Sequence, residues 1–194
     1  VDADTIDTTV AWKANRYDEG DGDYYNCPLS RQQYYDFIEA VKAARKIEPK
    51  EFEKDTPFFE GCMPIEEMIE RGDKTLSFGP MKPVGLPDPR TGRPPFAVVQ
   101  LRQDNKAGTA YNMVGFQTKM AYGEQTRIFK MIPGLEQAEF LKLGSIHRNL
   151  YVNSPKVLNE DLSSRQDRDL FLAGQITGVE GYFDSTCTGL MVAH

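Results

Sequence analysis

Apolar side chains recur along this chain with two different periods, and the changes of period mark its expected elements. Residues 8–14, rich in β-branched and aromatic side chains, predict a strand, and an acidic, glycine-bearing loop follows at residues 18–23. From residue 30 the period becomes helical: Tyr34, Phe37, Ile38, Val41 and Ala44 share one face, with Ser30 as N-cap and an end expected before Pro49. Pro64 suits the first turn of a short second helix over residues 65–71, with Gly72 just past its end. Residues 78–95 carry Gly79-Pro80, Pro83, Gly85, Pro87, Pro89, Gly92 and Pro94-Pro95, which excludes regular structure and predicts an ordered binding loop. Strands at residues 96–102 and 109–116, joined at 104–108, predict a hairpin. Helices are expected at 118–132 and 135–143, then a short buried strand at 169–173, a tight turn at 174–178 and a helix at 179–192. The fold class this implies is α+β, a hairpin-containing antiparallel sheet with packed helices, without internal repeats.

With 194 residues, 40% hydrophobic and 11% aromatic, the chain can bury a sizeable core. No apolar run approaches the roughly 18 residues of a membrane span, and the opening Val-Asp-Ala-Asp has no export signal, so a cytoplasmic location without membrane partners is expected. The start on valine and the stop at Met191-Val192-Ala193-His194 read as the ends of a piece excised from a longer polypeptide. Cys27, Cys62 and Cys187 form no CxxC pair, and two histidines cannot complete a zinc site with them, so free thiols and no metal are expected.

The formal net charge of −6 hides an asymmetry. Residues 74–130 hold nine Lys/Arg and three Asp/Glu, whereas the remainder holds fourteen against twenty-six. A basic middle in an acidic chain fits a localised phosphate-binding face, and it also fits a merely solvated surface. Within it, Lys82 and Arg90 sit on a proline-stiffened loop where preorganised cations lose less entropy on binding phosphate. Arg102, Lys106, Lys119, Arg127 and Lys130 extend the region, interleaved with Phe116, Tyr122 and Phe129, which either stack on bases or belong to the core.

Cys62 precedes the helix begun at Pro64, a setting that favours a reactive thiolate, with Gly61 leaving the sulfur accessible. Glu60, Glu66 and Glu67 would oppose this if turned the same way. Accessible nucleophile and packed inert thiol both remain open, and Cys27 and Cys187 are read as packing residues. His147-Arg148 has no visible triad partner. The unit 171–182 reads as strand, glycine turn and helix start, where a cofactor could meet backbone N–H groups, although no GxGxxG fingerprint occurs.

Ten segments, in order, carry a resemblance: Tyr24-Tyr-Asn-Cys-Pro28, Phe58-Phe-Glu-Gly-Cys-Met-Pro-Ile-Glu66, Phe78-Gly-Pro-Met-Lys-Pro-Val-Gly-Leu86, Asp88-Pro-Arg-Thr-Gly92, Val99-Gln-Leu-Arg-Gln-Asp-Asn105, Val114-Gly-Phe-Gln-Thr118, Gly123-Glu-Gln125, Ile132-Pro-Gly-Leu-Glu-Gln-Ala-Glu-Phe140, His147-Arg-Asn149 and Ala173-Gly-Gln-Ile-Thr-Gly-Val-Glu-Gly-Tyr182. Together they resemble the folate- and FAD-dependent tRNA (uracil-5-)-methyltransferase family, which is related to the glucose-inhibited division protein A-like flavoproteins.

The resemblance implies an α+β domain inserted into a Rossmann-like flavoprotein, with residues 1–165 as the tRNA- and substrate-binding insertion and 166–194 as the returning, incomplete segment of the FAD domain. It implies 5-methyluridine formation in the tRNA T-loop, with methylenetetrahydrofolate as carbon donor, reduced FAD as hydride donor and NAD(P)H as outside reductant. Cys62 is then one of two functional cysteines, the other lying outside this chain, and which of them attacks the base stays open. Gly174, Gln175, Thr177, Gly178 and Tyr182 would line the cofactor. Lys82, Arg90 and Arg102 are expected at RNA phosphate on charge and rigidity. The initial dinucleotide-binding strand, turn and helix are missing, and Val192-Ala193-His194 departs from the family's alanine-glycine finish, so this piece alone is expected to be inactive and colourless. Two other readings remain open, a non-catalytic RNA-binding module and the same flavoenzyme chemistry directed at ribosomal RNA.

Overall fold

The computed structural model describes residues 1–18, 22–48, 58, 60–145 and 150–193. Residues 19–21 of the acidic loop, Pro49, Phe59 and the stretch 147–149 named above lie outside the described residues. Contacts divide the chain into two compact units, Val1–Pro49 with Glu60–Ile146, and Lys50–Phe59 with His147–His194.

The first unit is α+β, built on a four-stranded antiparallel sheet of β1 (Trp12–Lys13), β2 (Tyr24–Leu29), β3 (Ala97–Gln103) and β4 (Tyr111–Met113), in that order. β3 and β4 form the expected hairpin, with Arg102 opposite Asn112. β3 buries five consecutive residues from Ala97, so both faces are covered and the alternation of a half-exposed strand is absent. Its other neighbour, β2, has no strand signature in the sequence because Asn26 and Pro28 interrupt the apolar run. The register explains why it forms. β1 pairs only with Tyr25 and Asn26, so at Pro28, opposite Val98, β2 has a neighbour on one side only, a setting that tolerates proline. Asn26 is fully buried but satisfied, its Nδ2 donating to the carbonyls of Trp12, Ala14 and Tyr24, and its Oδ1 accepting from Gln100 Nε2 at 3.0 Å.

Four helices complete this unit: α1 (Arg31–Ala43), α2 (Ile65–Glu70), α3 (Thr75–Phe78) and α4 (Tyr122–Phe129). α1 starts with a capping box in which Ser30 Oγ accepts from the Gln33 N–H while the Gln33 side chain accepts from the Ser30 N–H. Tyr34, Phe37, Ile38 and Val41 are completely buried on its inner face, which packs on β2, α2 and α4. Phe37, Phe116, Phe129 and Phe140 extend the core as tilted rings with successive centroids 6.2, 6.0 and 6.0 Å apart. No helix among the described residues is long and apolar enough to cross a membrane.

Besides the strand expected at 109–116, which is confined to β4, three expected elements of this unit are much shorter than their sequence pattern or absent. Of residues 8–14 only Trp12 and Lys13 form a strand, because Asp7 gathers the Thr9 N–H and hydroxyl on its carboxylate and the Val10 and Ala11 N–H groups on its carbonyl, folding the approach into turns. The helix expected at 118–132 is confined to α4, since residues 118–120 wrap around a buried carboxylate. No helix forms at 135–143. Gly134 has φ 89°, and the Leu135 and Ala138 N–H groups close successive three-residue turns onto Ile132 and Leu135 carbonyls, a spacing that imitates a helical face.

The second unit holds α5 (Ser154–Val157), a 3-10 turn at Gly174–Thr177 and α6 (Tyr182–Ala193). The buried strand expected at 169–173 is reduced to one bridge between Phe171 and Ser163, and Leu170 and Phe171 are 50% and 42% exposed. Two backbone bonds, Ser164 N–H to Leu170 O and Leu172 N–H to Leu162 O, cross the 165/166 position. Replacing the α1 cap, Ser30→Ala, is expected to lower unfolding free energy by about 1 kcal/mol without altering the folded spectrum, as read by urea denaturation followed by circular dichroism.

Candidate functional site

Cys62 ends the 3-10 turn Glu60–Cys62 and is half-buried. Buried Met63 and Pro64 then pass the chain into α2. This junction is anchored at two points. The Ile65 N–H donates to the Gln117 carbonyl at 2.8 Å, and Glu66, only 3% exposed, turns its carboxylate into the 118–120 backbone. Glu66 Oε1 accepts from Thr118 Oγ1 at 2.5 Å, from the Lys119 N–H at 2.9 Å and from the Met120 N–H at 3.1 Å. Three donors converging on one buried oxygen tie α2 to the approach to α4, and the burial of Oε2 without a hydrogen-bond partner among the described residues offsets part of what they contribute. Glu67 is ion-paired with Lys119. Glu66 and Glu67, whose charges would oppose a thiolate if turned toward it, are engaged at residues 118–120 instead. α2 has only six residues, so exposure and anchoring distinguish Cys62, more than a helix dipole does.

The other thiols differ. Cys27 is completely buried on β2, and burial, with a smaller effect of Glu136, pushes its pKa up to about 12. That matches a packing role. Cys187 is half-buried on α6.

The expected RNA-binding cations fall into two groups. Lys82 is exposed on the proline-rich loop between the fully buried Met81 and Leu86, and Arg102 is exposed near the end of β3. Arg90 differs from its expectation as a free cation: its Nε and Nη2 donate to Asp88 Oδ1 and Oδ2 at 2.9 and 2.7 Å, and Nη1 reaches the Thr9 carbonyl at 3.3 Å. The hydrogen bonds from Arg90 hold the Asp88 carboxyl below its ordinary range. A guanidinium fork already filled by carboxylate stiffens the loop and has little left for phosphate. Lys119 and Arg127 are likewise paired, with Glu67 and Glu124. Of the interleaved rings, Phe116 and Phe129 are core, whereas Tyr122 is 57% exposed.

Sequence reasoning missed the residues that support this loop. Arg16 Nη1 donates to the Val84 carbonyl at 2.6 Å, and its Nη2 donates to the Lys82 carbonyl at 3.0 Å and to Gln100 Oε1 at 2.7 Å. Through Gln100 and Asn26 the clamp reaches the backbone of β1 and β2. Arg102 lies two residues from Gln100 along β3 and therefore on the same face. Next to Arg16, Tyr17 is held at φ 63°, a left-handed conformation costing about 1–3 kcal/mol for a bulky residue. No local sequence signal marks a tyrosine for that geometry.

In the second unit, Gly174 and Gly178 have φ of 74° and 88° and bound the turn. A Cβ at Gly174 would meet only Ser185 Cβ at 4.0 Å, so that surface is open, whereas one at Gly178 would press on the Tyr151 ring at 3.3 Å. Thr177 is buried, its hydroxyl donates to the Gly174 carbonyl at 2.8 Å and its own carbonyl accepts from Ser154 Oγ at 2.6 Å, so both groups hold the turn in shape. Gln175 is exposed, as are Tyr182 at 97% and Phe183 at 80%. An open glycine turn leading to bare rings fits a flat aromatic ligand.

The burial difference sets an expected order of thiol reactivity. At pH 8 in native buffer, iodoacetamide followed by peptide mass spectrometry is expected to label Cys62 while Cys27 stays unmodified until the protein is unfolded. Equal native labelling of Cys27 would contradict the burial described.

The family model described as glucose inhibited division protein A matches residues 1–194. Over 193 residues the chain is 74% identical to the methylenetetrahydrofolate--tRNA-(uracil-5-)-methyltransferase TrmFO of Bdellovibrio bacteriovorus, a match covering 100% of this chain and 44% of that protein. Its identity to the protein of the same name in Syntrophotalea carbinolica is 60% over 191 residues, covering 98% of this chain and 41% of that protein. The chain therefore spans less than half the length of these curated relatives. Among solved structures, Aquifex aeolicus GidA in the form II crystal matches 98% of this chain and 29% of its own, with a TM-score of 0.56 at 14% identity, a likeness of fold alone. With the family match running over every residue and a solved GidA sharing the fold, the chain belongs to the glucose inhibited division protein A family.

Proposed function

We propose that this chain is the substrate-binding part of a folate- and FAD-dependent tRNA (uracil-5-)-methyltransferase, with Cys62 as the thiol that attacks the base. The observation that carries the reading is the end-to-end 74% identity to a relative bearing that name. The local geometry supports Cys62: it is the half-buried thiol of the first unit, on a turn braced by Glu66, whereas Cys27 is sealed in the core. Uracil C5 is a weak nucleophile until a thiolate adds at C6, which shifts the ring electrons to C5. The Cys62 sulfur would form that bond and leave again when the C5 proton is removed after the one-carbon unit has been transferred from methylenetetrahydrofolate.

FAD, when bound and reduced by NAD(P)H, supplies the hydride that completes the methyl group. Toward it this chain would offer the open surface of the turn bounded by Gly174 and Gly178, the Gln175 side chain and the exposed ring of Tyr182, with Thr177 holding the turn in shape. In this reading residues 1–165 are an insertion in a Rossmann-like flavoprotein and 166–194 return to the FAD domain, and the bare Tyr182 and Phe183 rings are surface that the rest of such a domain would cover. Lys82 and Arg102 are assigned to tRNA phosphate, with Arg90 holding the loop in shape. A tRNA-modifying activity of this kind belongs in the cytoplasm.

The full-length protein, supplied with FAD, methylenetetrahydrofolate, NADPH and an unmodified tRNA transcript, is expected to form 5-methyluridine in the T-loop. Cys62→Ala is expected to lower turnover by roughly a thousandfold or more, the scale of losing an attacking nucleophile. Wild-type turnover in that variant would remove Cys62 from the chemistry. RNA binding without methylation by the intact protein would favour the non-catalytic reading, and methylation of ribosomal RNA alone would move the substrate.

A further inference from the structure

We propose that Tyr17 and Lys82, fixed against each other by Arg16, form a docking platform for one unpaired nucleotide of the RNA, its base stacked on the Tyr17 ring and its phosphate paired with Lys82 Nζ. The proposal rests on the reading of RNA as substrate and adds Tyr17, with Arg16 behind it, to the Lys82 contact assigned above.

The platform is built, not incidental. The loop rises between two fully buried anchors, Met81 and Leu86, and presents Lys82 and Val84 to solvent. Its inner side carries the carbonyls of Lys82 and Val84, and both are gripped by the Arg16 guanidinium. The third acceptor of that guanidinium, Gln100, is 8% exposed and locked to the fully buried Asn26. A cationic loop on the surface is thereby tied to the middle of the sheet, and the ordering entropy that a phosphate contact would otherwise cost is removed in advance.

Tyr17 joins the loop through its backbone, its N–H donating to the Gly85 carbonyl at 2.8 Å. Gly85, at φ 78°, lets the loop come down onto the ring: a Cβ there would lie 3.0 Å from Tyr17 Cδ1 and Cε1. Tyr17 nevertheless remains 66% exposed. A bulky residue is thus held in a left-handed backbone with most of its surface bare, against the loop that carries Lys82. The ring's flat face suits any base, and the ammonium suits the backbone phosphate beside it. Asp18, Glu19, Asp21 and Asp23 lie close to Tyr17 in sequence, which disfavours a purely electrostatic site and leaves stacking as the larger contribution.

The test measures binding of an unmodified tRNA transcript to the full-length protein by fluorescence anisotropy over a range of salt concentrations, for wild type, Tyr17→Phe, Tyr17→Leu and Lys82→Ala. Leucine keeps an apolar cover over Gly85 without an aromatic face. Tyr17→Leu is expected to weaken binding about tenfold with an unchanged salt slope, and Tyr17→Phe to stay within about twofold, as for loss and retention of one base–ring stack. Lys82→Ala is expected to lower the salt slope by about 0.7, one phosphate contact on a single strand. If Tyr17→Leu merely disordered the loop, Lys82 would be displaced and its slope would fall as well, which overturns the stacking role. Tyr17→Leu binding as wild type, or Tyr17→Phe weakened as much as Tyr17→Leu, also overturns the platform while leaving the RNA reading intact. Absence of any binding by wild type at low salt overturns both.

Discussion

The first unit depends on a single buried carboxylate oxygen. Glu66 Oε1 takes donors from the Thr118 side chain and from two successive backbone N–H groups, and by doing so holds residues 118–120 out of the helix that their sequence favours. The same contact fixes the start of α2, with the Ile65 N–H bonded to the Gln117 carbonyl beside it. The local support for Cys62 starts from this arrangement. Cys62 sits four residues before the tie, on the turn that leads into the helix so anchored. Two of the three acidic side chains that would disfavour a thiolate, Glu66 and Glu67, are the ones that do the anchoring.

A second polar network works on the opposite principle, carrying order outward from the sheet. Asn26 and Gln100 face each other across β2 and β3, and Gln100 passes the chain of bonds to Arg16, which ends on two loop carbonyls. Buried amides of this kind are costly unless every donor is paired, and the Asn26 Nδ2 has three carbonyls within 3.2 Å. This proline- and glycine-rich loop is therefore held in one shape. Arg90 and Asp88 do the same at the loop's far end, which is why Arg90 is spent on its own chain.

What could be read from the sequence is what local physics decides. The α1 face and its capping box, the β3–β4 hairpin, the packing role of Cys27 and the core placement of two of the three interleaved phenyl and phenol rings all follow from periodicity, capping and size. β2 was invisible because its proline is tolerated only in the register it adopts, and the turns at 135–143 were misread because three-residue turns and a helix share a spacing. The engagement of Glu66 and Arg90 was equally hidden: sequence shows that they are charged, and only the fold shows which way each is turned. The family, by contrast, was legible in ordered segments spread over the chain, because a resemblance of motifs does not require knowing the fold.

The central claim is that the Cys62 sulfur reaches C6 of a uracil ring. The most direct measurement is to incubate the full-length protein, with its cofactors, with a T-arm RNA carrying 5-fluorouridine at the target position, and to map any covalent adduct by peptide mass spectrometry. Fluorine at C5 cannot leave as a cation, so an attacked base stays attached to the sulfur that added to it. The account predicts one adduct per protein on the peptide containing Cys62. An adduct found on another cysteine, with Cys62 unmodified, would contradict it.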